Sequence, residues 1–166
     1  RNNDSGAIEQ VFEALTNVWE IFLETVNSKN GQVLQVNHSG NKRYVMNSEV
    51  IPENEWFHFA TVITDQEQSI YINGKLVKSV PHSGNLGIRT AFRIGRDYEK
   101  KIQYWKGAMD DFRIYGRGLN QYEVDTLFGD MSDMVDLSAG LVAHYPFSGN
   151  ANDQSGNQHH LEVNGA

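Results

Sequence analysis

Cysteine is absent from this 166-residue chain, so no disulfide holds it, and proline occurs only three times. A chain without cysteine that is long enough to close a core of its own suits a reducing or an oxidising compartment equally. Apolar runs are short and interrupted, far from the roughly 18 to 20 residues that a membrane-spanning helix requires. Positive charge is scarce: 14 Lys and Arg face 21 Asp and Glu, and the net charge of -7 repels the phosphate backbone of a nucleic acid and an anionic lipid surface. Nucleic-acid partners and membrane insertion are therefore not expected. No nucleophile elbow and no Gly-rich phosphate loop leading into a helix occur either. The chain opens at Arg1 with no charged-then-apolar leader, as expected if an export signal has been removed or lay on a longer precursor.

What is present is a core's worth of apolar residues, 39% of the chain with 11% aromatic, arranged in short alternating runs. These are Ala7–Ala14, Asn17–Val26, Gln32–His38, Glu55–Thr64, Ser69–Ile72, Thr90–Ile94, Gly107–Tyr115 and Gly140–Phe147. Alternation with period two is the pattern of half-buried strands. Asn, Gly, Asp and Pro punctuate the runs, and Asn73-Gly74 between Ile72 and Leu76 predicts a two-residue hairpin. One helix is expected late in the chain: Leu119, Tyr122 and Val124–Phe128 have helical spacing, Asn120 stands at the cap with Glu123 three residues on, and Gly129 follows. Many short strands with a single helix predict an all-β sandwich or barrel, built as an antiparallel meander. The segment 130–139, with Asp130, Asp133 and Asp136, reads as an acidic linker between a main body, 1–129, and a tail, 140–166.

Four motifs, Glu55–Val62, Ile70–Val77, Phe92–Arg96 and Gly107–Leu119, followed by the short helix, resemble in order and spacing the C-terminal two thirds of laminin-G-like, concanavalin A-like jelly rolls. The tail from Gly140 to Ala166 resembles the first strand and first loop of the same family, which here stands last. The resemblance implies an antiparallel two-sheet jelly-roll β-sandwich. Three origins would account for the order: circular permutation, a fragment spanning two tandem repeats, or a nicked domain whose missing strands lie on another chain. Because open strand edges are rarely left unpaired, the tail is expected to dock on the main body, its own or a neighbour's.

A hard cation takes six to eight oxygens, and the Asn-, Asp-, Ser- and Gly-rich loop Ser148–Asn157 offers carboxylates and carbonyls. The resemblance implies a structural calcium where the first loop meets the last main strand, with the aspartate of an Asp-x-x-Arg-x-Tyr motif, here Asp110, as ligand. The expected ligands are Asp110 and Asp153, joined by Asp111, Asn157 and the groups near Ser148 and Gly149. An Asx turn at Asn152-Asp153 and an Asp111–Arg113 ion pair would account for the same residues without a metal.

Glycan hydrolysis needs two carboxylates flanking the scissile bond. Glu20 and Glu24 share a strand face by alternation, but related hydrolases place an aspartate between their two glutamates where this chain has Phe22, so no catalytic residues are assigned. His159 and His160 are adjacent and lack a third ligand at zinc spacing, and His58 and His144 are expected as half-buried packing residues. Trp56 and Trp19 are expected to be structural. Tyr98, Tyr104 and Trp105 flank Glu99-Lys100-Lys101, a stretch similar to a variable loop of the family. With Arg96 they are the candidate contacts for a glycan or cell-surface polysaccharide. The expectation is a non-catalytic, calcium-bearing carbohydrate-binding or adhesion module, secreted or surface-bound and bacterial. The alternative is a structural or assembly module that pairs with another copy or a complementary chain.

Overall fold

The structure is a computed structural model that describes residues 8–14, 19–25, 32–38, 42–45, 54–81, 92–96, 104–129 and 135–164. The chain forms two compact units, residues 1–57 with 83–106 and residues 58–82 with 107–166. The tail thus shares a unit with the strands and helix that precede it.

The first unit holds β1 (Ile8–Ala14), β2 (Trp19–Thr25), β3 (Gln32–His38), β4 (Lys42–Val45) and, after the second unit's hairpin strands, β8 (Phe92–Ile94). They form one antiparallel sheet in the order β4-β3-β2-β1-β8. The register sets Ile21 opposite Val36 and Leu23 opposite Leu34, so the alternation of neighbouring strands is in phase. A shift between Gln10 and Phe12 in β1 is absorbed before Phe12 meets Ile94 of β8. β4, which apolar periodicity misses, is short, begins Lys42-Arg43 and stands last in the sheet order, as suits an edge strand guarded by charge.

In the second unit, β5 (Phe59–Ile63), β6 (Glu67–Ile72) and β7 (Lys75–Pro81) form an antiparallel meander. Asn73 and Gly74 both have positive φ, 49° and 76°, the signature of the hairpin turn whose twist matches the flanking strands. A side chain at Gly74 would meet Asp125 Oδ1 at 3.0 Å and Phe128 Cδ1 at 3.2 Å, so this turn also seats the helix. The central strand β6 is buried from Gln68 to Ile72, with Ile70 at 1% and Gln68 at 0% exposure. Gln68 is anomalous because neither atom of its amide has a hydrogen-bond partner, and a buried, unpaired amide opposes folding. Gln68→Met, close in volume and without polar atoms, is expected to stabilise the protein by about 1 to 2 kcal/mol. Urea unfolding would read this, and a loss of stability would mean that bound water satisfies the amide.

The helix α1 (Gln121–Gly129) begins as its sequence predicts. Asn120 Oδ1 accepts the Glu123 N–H at 3.0 Å, and Glu123 Oε2 accepts the Asn120 N–H at 2.8 Å, a reciprocal capping box. Arg117 adds a two-pronged ion pair to Glu123, at 2.9 and 2.6 Å. The helix docks through Val124 and Thr126, both buried, and through Gln121 Nε2, which donates to the Gly74 carbonyl at 2.7 Å.

Finally, β9 (Phe112–Tyr115) pairs antiparallel with β10 (Leu141–Tyr145), so the tail's strand lies against the last main strand of its own chain. Tyr145 and Ala143 are fully buried, and the Tyr145 ring lies 6.4 Å from Phe112 and 6.1 Å from Phe147. The alternate positions Arg113 and His144 face each other across the ladder.

Candidate functional site

The polar residues with the most evident design lie around β10. Its register slips between Leu141 and Ala143, leaving Val142 as an extra residue whose carbonyl falls out of the ladder. The loop after the strand turns back to satisfy it: Ser155 Oγ donates to the Val142 carbonyl at 3.1 Å, and Asn157 Nδ2 donates to the Leu141 and Val142 carbonyls at 3.0 Å each.

Asp153 sits at the centre of this loop, 7% exposed. Its Oδ1 accepts the N–H groups of His144 (2.9 Å) and Ser155 (2.8 Å). Its Oδ2 accepts the Ser155 hydroxyl (2.8 Å) and the His159 N–H (3.0 Å). Burial alone would push the carboxyl's pKa up, but the N–H groups of His144, Ser155 and His159 and the Ser155 hydroxyl outweigh it and hold the pKa far below the usual carboxylate range. The backbone N–H of Asp153 donates to His160 Nδ1 at 3.1 Å, and the Tyr145 hydroxyl donates to the His159 carbonyl at 2.6 Å. Burial, and secondarily the Asp153 charge, push the Tyr145 hydroxyl up to about 12.

A second polar group lies at the β9–β10 ladder. Asp111, in the left-handed region at φ 50°, places Oδ1 3.0 Å from Arg113 Nη2 and 2.6 Å from His144 Nε2. The ion pair expected as the metal-free account of Asp111 is therefore present. His144 joins the two groups, with its backbone N–H on Asp153 and its ring on Asp111. His58 is half-buried, with its ring tilted against Phe128 and the centroids 6.0 Å apart. Burial lowers its pKa against the opposing pull of Asp111, and its Nδ1 lacks a partner.

The expected calcium ligands do not converge as a cation site. A carboxylate offers about four acceptor positions, and on Asp153 four protein donors take them. Asp110 is exposed, and its Oδ1 accepts the Asp111 N–H at 2.9 Å. Asp111 is turned to Arg113 and His144, and Asn157 points its NH₂ at the strand carbonyls. Ser148 and Gly149 are exposed, with the Gly149 N–H on the Phe147 carbonyl at 2.8 Å. Among the described residues no group of three or more His, Asp or Glu side chains could hold a metal ion. The donor set around Asp153 therefore does not fit calcium, which needs free oxygen lone pairs at its centre.

The candidate glycan contacts lie in the other unit. The Trp105 N–H donates to the Gly95 carbonyl at 2.9 Å, tying the Tyr104–Trp105 segment to the turn that carries Arg96. Tyr104 is 50% exposed, while Trp105 and Arg96 are half-buried. Tyr98 lies outside the described residues. Trp56, expected to be structural, is instead 69% exposed. Glu20 and Glu24 lie on β2, opposite Asn37 and Val33 of β3. Sequence reading missed the parts of His160, Ser155 and Tyr145 in the Asp153 network; the one cue available was the density of Asn, Asp, Ser and His behind an apolar strand.

Antiparallel sheets with one short capped helix are what a concanavalin A-like all-β fold requires. The chain belongs to the concanavalin A-like lectin/glucanases superfamily, whose profile matches residues 1–125. It is 26% identical over 118 residues to an alpha-L-arabinofuranosidase of Bifidobacterium longum subsp. longum, an alignment covering 69% of this chain and 11% of the enzyme. It shares its fold with a crystal structure from Bacteroides ovatus of a protein to which carbohydrate binding is ascribed. The TM-score is 0.68 at 17% identity, with 90% of this chain and 46% of that one covered. The chain thus spans about a tenth of the curated relative's length and under half of the structural neighbour's.

Proposed function

We propose that this chain is a non-catalytic carbohydrate-binding module of a longer secreted or cell-surface protein, and that its ligand is a polysaccharide bearing α-L-arabinofuranosyl groups. The observation that carries this reading is the half-exposed Tyr104 beside Trp105, clasped through Gly95 to the turn of Arg96. An aromatic face held on a segment tied to the turn of Arg96 suits stacking on a sugar ring and hydrogen bonding of its hydroxyls. Membership in a lectin and glucanase superfamily supports the ligand class. The arabinofuranosidase relative, of which this chain matches only a small share, supports an accessory rather than catalytic role and the choice of sugar. Phe22 between Glu20 and Glu24 leaves those carboxylates without the intervening acid that tunes such pairs.

Affinity electrophoresis in gels containing arabinan or arabinoxylan, against unsubstituted xylan and dextran, tests the proposal. Retardation by the arabinose-bearing polymers is expected, with Trp105→Ala weakening it at least tenfold while leaving the melting midpoint unchanged. Equal mobility in all gels overturns the binding reading. Release of p-nitrophenol from an arabinofuranoside by the wild type, lost in Glu20→Gln, overturns the non-catalytic part. A second reading, an assembly module, is favoured by Leu76 and Phe128, 51% and 49% exposed around the β6–β7 turn. Light scattering on the same sample separates the two, since assembly through this patch requires a dimer or a mixed particle.

A further inference from the structure

We infer that the segment Leu141–Leu161 is organised without calcium, by the buried Asp153 carboxylate acting as an internal anion in the place where the family resemblance implies a cation. The inference is independent of whether the chain binds a glycan.

The geometry of the donors leads to it. Three backbone N–H groups and one hydroxyl converge on the two oxygens of Asp153 at 2.8 to 3.0 Å. Two of the N–H groups come from the loop and the third from β10, so the carboxylate itself sets the path of the chain. A cation at this point would have to displace those bonds to gain the oxygens at the 2.3 to 2.6 Å that calcium uses. It would then face the positive ends of the same N–H dipoles, which concentrate potential of the wrong sign in a poorly solvated site. Asn157, the remaining candidate side chain in the loop, presents hydrogens to two carbonyls of β10.

The rest of the segment is closed by protein alone. The Gln154 N–H donates to the His144 carbonyl at 2.7 Å and the Leu161 N–H to the Ala151 carbonyl at 3.1 Å. Tyr145 holds the His159 carbonyl, and His160 holds the Asp153 N–H. The negative charge needs no counter-ion because the charge-assisted hydrogen bonds solvate it.

The test uses the unmodified protein in EDTA and in 10 mM calcium, with two readouts: the thermal midpoint, and the backbone amide resonances of His144, Ser155 and His159. The expected result is a midpoint unchanged within about 1 °C and three amide resonances that do not move. A site half-saturated near 10 µM would instead raise the midpoint by about 8 to 16 °C. Such a saturable rise, with the three resonances moving along the same titration, overturns the inference. A rise with the three resonances unmoved puts the ion away from Asp153 and upholds it. Glycan retention in EDTA is scored separately, so a chain that binds no sugar leaves this result standing.

Discussion

Asp153→Ala is expected to cost about 3 to 5 kcal/mol of folding stability, one of the two largest effects expected in the described part of this protein. The substitution strips four donors of their acceptor at once, three of them backbone N–H groups that cannot turn away. Each unpaired buried donor opposes folding by about 1 to 3 kcal/mol, and partial opening of the loop to water keeps the total below the simple sum. Asp153→Asn keeps the shape but replaces one acceptor oxygen with an NH₂ aimed at Ser155 and His159, so about 2 kcal/mol is expected. Urea denaturation followed by tryptophan fluorescence measures both. A cost under about 1 kcal/mol for the alanine variant would mean that water replaces the carboxylate with little penalty.

The same carboxylate sets an acid limit. Its folded pKa lies below the ordinary 3.8, so its contribution is complete above that ordinary value and is lost as pH falls toward the folded one. Glu123 acts in the same direction, lowered from 4.5 chiefly by its hydrogen bonds with Arg117. The melting midpoint is therefore expected to be level from neutral pH down to about 5 and to fall steeply below about 4. In Asp153→Asn the fall should be shallower. An identical acid slope in the two proteins would remove Asp153 from the account.

Tyr145→Ala is expected to cost about 3 to 5 kcal/mol, because a fully buried ring leaves a cavity between Phe112 and Phe147 that the strand pair cannot collapse around. Tyr145→Phe, which removes only the hydroxyl held by the His159 carbonyl, should cost about 1 kcal/mol. The ratio between the two separates packing from hydrogen bonding, and equal costs would mean that the hydroxyl bond carries the residue's contribution. At the alkaline end, the hydroxyl's pKa is raised from 10.0 to about 12. Its contribution is thus complete below pH 10 and lost as pH rises toward 12. Tyr145→Phe should abolish the alkaline weakening that belongs to this group.

Much of the architecture could be read one segment at a time. The β3 limits coincide with the alternating run Gln32–His38, and the limits of β1, β2 and β10 fall within two residues of theirs. Asn73-Gly74 turns as its dipeptide predicts, and Asn120 caps the helix with Glu123. β4 escaped because four residues beginning with two bases carry too little period to register, although that charge is what an edge strand uses. Trp56 misled for a different cause: it lies in a motif that resembles the family's core, yet it is 69% exposed.

The loop around Asp153 shows the same division more sharply. Its composition of Asn, Asp, Ser and Gly announced a turn-rich polar loop, but composition cannot distinguish a carboxylate waiting for a cation from one already surrounded by N–H groups. That difference arises from partners that the fold delivers. His144 reaches Asp153 from nine residues away because β10 runs beneath the loop, and His144 reaches Asp111 across 33 residues because β9 and β10 pair in one particular register. By itself, the sequence determined most of the strands, the hairpin and the capped helix, since each depends on propensities acting over a few residues, and the order of its motifs pointed to the family. Only the tertiary structure decided that the His144 N–H closes the donor shell of Asp153, because hydrogen bonds are short and directional and the folding of the loop back onto β10 brings the two within reach.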